Sequence, residues 1–285
     1  MPIIKRTSSG YINPGLFFII LLLSACSSFS QETRSQIATT IAANAKLTPF
    51  ILSTRYFKIA GFQKTPKPGQ PVTLYIEGDG FAWIDRYTIS DNPTPTDPIA
   101  LRLAAVDNNP NIIYLARPCQ YVTLEAETNC SKTFWTNRRY ADAIISSYIE
   151  AINQLQKLYK TNGFHLVGYS GGGTIAALLA ARRTDILSLR TIAGNLDHVA
   201  LGKAKNVSPL TGSLNAQNIA SKLSALPQVH YSGTNDTVIP EWVSIDFVAA
   251  VANPACAAYR RIKNAGHISG WITAWRTLSL QIPTC

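Results

Sequence analysis

Acid is scarce in this chain. Asp and Glu number 16 against 26 Lys and Arg, and charged residues make up only 15% of the 285 positions. There is no low-complexity tract and no internal repeat, and apolar residues reach 46%, which excludes a disordered or fibrous protein. No Gly-Lys-Ser/Thr or G-x-G-x-x-G spacing occurs, so a nucleotide-binding loop is not expected. No Cys-x-x-Cys pair or zinc-like Cys/His spacing is present, so neither metal nor organic cofactor is implied. The net charge of +10 lacks the recognisable module that nucleic-acid binding would need. Long apolar runs are missing too. The longest, Leu16 to Leu23, would span roughly 12 Å as a helix against a hydrocarbon core of about 30 Å. What remains is ample material for a large core.

That short run has a meaning of its own. Lys5-Arg6 precedes it and Ser24-Ala25-Cys26 follows, which is the layout of a secretory signal. Leu23-Ser24-Ala25-Cys26 resembles a bacterial lipobox, which implies cleavage after residue 25 and lipidation of Cys26. The competing reading is an ordinary signal peptide with a chance cysteine. Ser27 and Ser28 follow with no Asp beside Cys26, a pattern similar to lipoproteins sorted to the outer membrane. The expectation is an exported chain of the cell envelope, lipid-anchored and facing the periplasm, with residues 1–25 as leader. Its removal takes Lys5 and Arg6 away and leaves +8. Stable anchoring needs two or more acyl chains. Cys119, Cys130, Cys256 and Cys285 then remain, an even number in an oxidising compartment. Three connectivities are open; proximity favours Cys119–Cys130 and Cys256–Cys285.

Along the chain, strands alternate with helices. Residues 26–50 read as a tether with a short helix, and 51–285 as the domain. Strands are expected at Arg55–Ala60, Val72–Ile76, Asn111–Leu115, Phe164–Val167, Ile186–Ala193, Gln228–Tyr231 and Ala258–Ile262. Helices are expected at 98–107, from Asn137 to about Tyr159, over Gly171–Arg182, and near 215–223, 240–252 and 270–280. Such βαβ units imply a mostly parallel sheet with helices on both faces. Active groups in that architecture sit on loops at the carboxyl ends of strands.

One such loop is Gly168-Tyr169-Ser170-Gly171-Gly172, between a strand and an Ala-rich helix. A serine on a sharp strand-to-helix turn needs glycine two residues to either side, because side chains there would collide. The helix start beneath it offers free N–H groups and the positive end of a dipole. The bland alternative is a glycine-rich turn with a buried serine. A second loop is Glu77-Gly78-Asp79-Gly80. A third is Ser232-Gly233-Thr234-Asn235-Asp236-Thr237-Val238-Ile239-Pro240, and a fourth is Asn264-Ala265-Gly266-His267. His165 and His230 fall in expected strands and read as structural.

With these four loops in order, the chain from about 54 to 280 resembles the α/β-hydrolase fold family, whose order is nucleophile, acid, histidine. It is similar in particular to uncharacterised proteobacterial α/β-hydrolase lipoproteins. The resemblance implies Ser170 as nucleophile, His267 as base and Asp236 as acid, the last because its loop is similar to the family's G-x-x-D-x-x-V/I-P. Asp197, beside His198, is the alternative acid. It also implies that the N–H groups of Asp79 and Gly171 form an oxyanion hole. The family often has His at the place of Glu77, and Asp79 sets a carboxylate beside a site meant for an anion. Either that side chain points away, or the pocket prefers a neutral or cationic substrate. The implied function is hydrolysis of a small-molecule or lipid ester (or thioester); a non-catalytic envelope lipoprotein is the alternative. Phe134-Trp135 and Arg138-Arg139 could line the pocket mouth or cap the long helix. Phe81, Trp83 and Trp135 lining the pocket would favour apolar acyl groups.

Overall fold

Eight strands assemble into one sheet in the computed structural model, which describes residues 30–64 and 67–285. The expected leader and the lipidation residue Cys26 lie outside the described residues. In chain order the elements are α1 (Gln31–Asn44), β1 (Thr48–Ser53), β2 (Lys58–Gln63), β3 (Val72–Ile76), α2 (Ile99–Val106), β4 (Ile112–Leu115) and α3 (Asp142–Tyr159). They continue with β5 (Phe164–Tyr169), α4 (Gly171–Ala180), β6 (Ile186–Ile192), α5 (His198–Ala204), β7 (Gln228–Gly233), α6 (Trp242–Val251), β8 (Ala257–Ile262) and α7 (Trp271–Leu278). The sheet order is β1-β2-β4-β3-β5-β6-β7-β8. The β1–β2 and β2–β4 pairs are antiparallel and every other pair is parallel.

The central strands explain the layering. β3 and β4 are buried along their whole length, as strands covered on both faces must be. Side chains alternate between the faces. Leu74, Ile76, Ile113, Leu115 and Leu166 enter the core under α3, α4 and α6. Tyr75, Ile112, Tyr114, Val167 and Tyr169 enter the opposite core under α1, α2 and α7. Each such burial stabilises by roughly 1.5–3 kcal/mol, so the two cores hold the strand ends in fixed register. Among the described residues no helix is long and apolar enough to cross a membrane.

The helix expected near 215–223 forms as a 3-10 helix over Ala216–Leu223; the other helices and the parallel strands lie close to their expected places, with three differences. The strand expected at Arg55–Ala60 is displaced to Lys58–Gln63, because Thr54 and Phe57 close the hairpin turn: Thr54 N–H and Oγ1 both donate to Phe57 O, at 3.0 and 2.7 Å. β1 and α5 were not foreseen. α1 is fastened to the domain, since the buried Arg34 donates to Asn92 O and Thr94 O. Disulfides join Cys119 to Cys130 and Cys256 to Cys285. The first closes the irregular stretch after β4, and the second ties the last residue to the start of β8.

From β3 the chain passes outward to β4, then crosses back to β5 on the other side of β3. A reversal of that kind opens a crevice beyond the strand ends, where ligands bind in open α/β sheets. The loops after β3 and β5 meet there.

Candidate active site

Ser170 stands between the end of β5 and the start of α4 at φ 51°, ψ −120°, a left-handed backbone costly for a residue with a side chain. Packing enforces it. A Cβ on Gly168 would lie 2.4 Å from Gly172 O, and one on Gly172 would lie 2.3 Å from Ile76 O. Only glycine fits at either place. Ser170 N–H donates to Ile192 O, and Ser170 O accepts from Gly173 and Asn195 N–H, so the turn is pinned between β6 and its own helix.

His267 sits on the loop after β8. Its carbonyl accepts from Tyr169 Oη at 3.1 Å and from Trp271 Nε1 at 3.0 Å, two aromatic groups that fix the loop from below. Ser170 Oγ–H donates to His267 Nε2 at 3.1 Å, and His267 Nδ1–H donates to Asp236 Oδ2 at 2.9 Å. This tautomer follows from the carboxylate on the Nδ1 side. Asp236 Oδ1 accepts from Val238 and Ile239 N–H, each at 2.8 Å, and the carboxylate is sealed from solvent. Burial works to raise its pKa. The His267 hydrogen bond and charge and the two backbone donors outweigh burial and hold it below the ordinary value.

The alternative acid lies elsewhere. Asp197 caps α5, accepting from Val199 and Ala200 N–H and from Asn215 Nδ2, and makes no contact with His267. His230 is fully buried between Thr191 Oγ1 and Gln228 Oε1, and burial pushes its pKa down to about 3. His165 bonds Ser188 Oγ. Both serve structure, as expected.

Asp79 and Gly171 lie side by side: a Cβ on Gly171 would fall 2.1 Å from Asp79 Oδ1. The backbone N–H groups of Asp79 and Gly171 make no hydrogen bond among the described residues. The Asp79 carboxylate has its own partners. Arg117 Nη1 donates to Oδ1 at 2.8 Å, Arg139 Nη1 donates to Oδ2 at 2.7 Å, and Tyr140 Oη donates to Oδ2 at 3.1 Å. Burial works to raise its pKa, but the two guanidinium groups bring it below the ordinary value. This answers the question left by the sequence, since the side chain is neutralised rather than presented to a ligand. Glu77, at the place of the family's histidine, is fully buried. It accepts from Gly78 N–H at 2.9 Å, Ala100 N–H at 3.3 Å and Tyr114 Oη at 3.2 Å, tying the loop after β3 to α2 and β4.

A cleft of about 560 Å³ opens in front of Ser170, within the range of small-molecule sites. Trp83, Leu201, Val207, Leu210 and Ile239 make its wall largely apolar. Of the aromatics weighed from sequence, only Trp83 lines it. Trp135 is buried and donates to Ser90 O, while Phe81 lies under the Arg34 guanidinium. Arg138 stacks on Phe134, whereas Arg139 lines the cleft. Sequence reasoning missed Arg117, Tyr140 and Tyr169, and it gave Arg139 no partner. No local spacing announces them, because the contacts they make are long-range.

The arrangement offers a serine hydroxyl hydrogen-bonded to an imidazole that is itself oriented by a carboxylate, at the mouth of a cleft and beside two uncommitted N–H groups. Comparison with solved structures agrees with the fold. Est1E from Butyrivibrio proteoclasticus is similar at 13% identity and TM-score 0.55, over 81% of this chain and 95% of that one. The Pyrococcus furiosus esterase Pf2001 is similar at 14% identity and TM-score 0.56, over 82% and 89%. An α/β serine hydrolase homologue from Coxiella burnetii is similar at 14% and 0.54, over 82% and 95%. These likenesses establish the α/β-hydrolase fold. A search of curated proteins finds no match. The family model described as Serine hydrolase (FSH1) matches residues 105–267, more than half of the chain and a span that includes Ser170, Asp236 and His267. The chain therefore belongs to the FSH1 serine hydrolase family.

Proposed function

We propose that the chain cleaves a carboxylic ester or thioester in two steps through an acyl-enzyme formed on Ser170. The observation that carries this is the unbroken line of hydrogen bonds from Asp236 through His267 to Ser170. A serine hydroxyl is a poor nucleophile at its free pKa and needs a base within hydrogen-bond reach. Ser170 Oγ attacks the carbonyl carbon as its proton passes to His267 Nε2. The resulting oxyanion is received by the N–H groups of Asp79 and Gly171, each donor contributing about 10²–10³ in rate. The tetrahedral intermediate collapses, His267 returns the proton to the leaving oxygen or sulfur, and the acyl group stays on Ser170. Water deprotonated by His267 then releases the acid by the reverse sequence. Throughout, Asp236 fixes the tautomer and stabilises the imidazolium.

The largely apolar cleft favours acyl esters over large polar polymers. The test is turnover of a 4-nitrophenyl ester series of graded acyl length, with the matching thioesters. Activity above background is expected for at least part of the series, and it should vanish in Ser170→Ala. Equal rates in wild type and Ser170→Ala would overturn the proposal.

A further inference from the structure

Two guanidinium groups converge on one carboxylate beside the nucleophile, so the cluster keeps one positive charge in excess. Arg117 bonds one oxygen of Asp79 and is the more buried of the pair, with its side chain 5% exposed against 15% for Arg139. Arg139 is different. It lines the cleft in front of Ser170, and also the adjoining cleft that His267 lines. Its Nη1 donates to Asp79 and its Nε to Thr136 O, leaving part of a five-donor fork uncommitted. Its Nη2 makes no hydrogen bond among the described residues and is not sealed from solvent.

The surrounding charges leave a positive balance on this wall. Arg86, Arg139 and Lys205 line the main cleft against Asp79 and Asp85, with Arg117 behind Asp79. Asp85 is turned into its own loop, where it accepts from Tyr87 and Thr88 N–H and Thr88 Oγ1. On the adjoining side Asp97 is paired with Arg102, and Glu77 is buried with its oxygens bonded to Gly78 and Ala100 N–H and Tyr114 Oη. Beyond this wall the lining mixes aliphatic side chains with neutral polar ones, among them Asn137, Asn195 and Ser208, and carries no acid.

We infer that Arg139 receives an anionic group of the substrate, a carboxylate carried a few bonds from the scissile carbonyl, so that acid-bearing esters are the preferred substrate class. The inference rests on the proposed hydrolase function and narrows it. A guanidinium fork matches a carboxylate in geometry, and a partly desolvated charge-assisted contact discriminates by about tenfold.

The experiment compares matched esters on the purified chain, with uncatalysed rates subtracted. In one arm mono-4-nitrophenyl adipate is set against 4-nitrophenyl hexanoate, placing the charge on the acyl side. In the other, 4-butyryloxybenzoate is set against 4-butyryloxybenzamide, placing it on the leaving group. The charged ester is expected to win by about tenfold in kcat/KM in one arm, mainly through KM. That ratio should fall to about one in Arg139→Gln and be partly kept in Arg139→Lys. Wild type that treats both members alike, or prefers the neutral one in both arms, overturns the inference. So does an Arg139→Gln chain that slows charged and neutral esters equally, since Arg139 would then only hold Asp79. Wild type that turns over none of the four esters instead removes the hydrolase proposal itself.

Discussion

Ser170, His267 and Asp236 are held by different means, and the differences decide what substitution should do. Ser170 is fixed by backbone contacts that exclude any Cβ on Gly168 or Gly172. His267 is fixed through its carbonyl by Tyr169 and Trp271. Asp236 is fixed by two backbone donors that leave Oδ2 for the imidazole. Asp236→Asn keeps the shape but sets an amide that can donate against Nδ1–H, so the imidazole is driven to the wrong tautomer. Turnover of a 4-nitrophenyl ester is expected to fall by about 10³–10⁴-fold. Asp197→Asn should leave it unchanged, because Asp197 caps α5 and asparagine caps a helix as well as aspartate does. Loss in the second variant and not the first would reassign the acid.

At the scale of elements, the loop after β3 is clamped to α2 and β4 by Glu77, whose pKa burial pushes up to about 7. The unfolded value is near 4.5, so between about pH 5 and 7 the folded chain keeps a proton that the unfolded chain has lost. Stability from this group therefore falls as pH rises through that window and is flat above it, by roughly 3 kcal/mol in all. His230, held at about 3, acts in the opposite sense between about 3 and 6.5, with His165 and His198 in the same direction as His230. The difference between wild type and Glu77→Gln in denaturant unfolding therefore isolates the carboxyl. Glu77→Gln is expected to gain on wild type as pH rises from 5 to 7, and a constant difference would contradict the burial argument. Element by element, the parallel strands and most helices were legible because buried apolar runs and helical spacing are local signals. β1 was not, since it is an edge strand with Pro49 in it and a half-exposed pattern that reads as tether. α5 is seven residues long and follows a glycine-asparagine turn, too short to show a period. The serine turn and the loops of Asp236 and His267 were legible because each carries its residues in fixed short spacing at a strand end. The partners of Asp79 lie 38, 60 and 61 residues away, and nothing in the local pattern brings them together.

At the scale of the whole molecule, the strand order sets the loops after β3, β5, β7 and β8 along one rim, which brings residues 79, 170, 236 and 267 into one site. The cores on both sheet faces hold those strand ends, so the site is preorganised in the fold rather than assembled by a ligand. A preformed serine–histidine–carboxylate line should react with an electrophile that needs only an activated hydroxyl and an oxyanion site. The most direct measurement is labelling of the purified chain by a fluorophosphonate probe, with the modified residue located by mass spectrometry. Covalent modification is expected at Ser170 alone, absent in Ser170→Ala and sharply slowed in His267→Ala. An unlabelled wild-type chain, or one labelled equally well without the imidazole, would contradict a Ser170 nucleophile activated by His267.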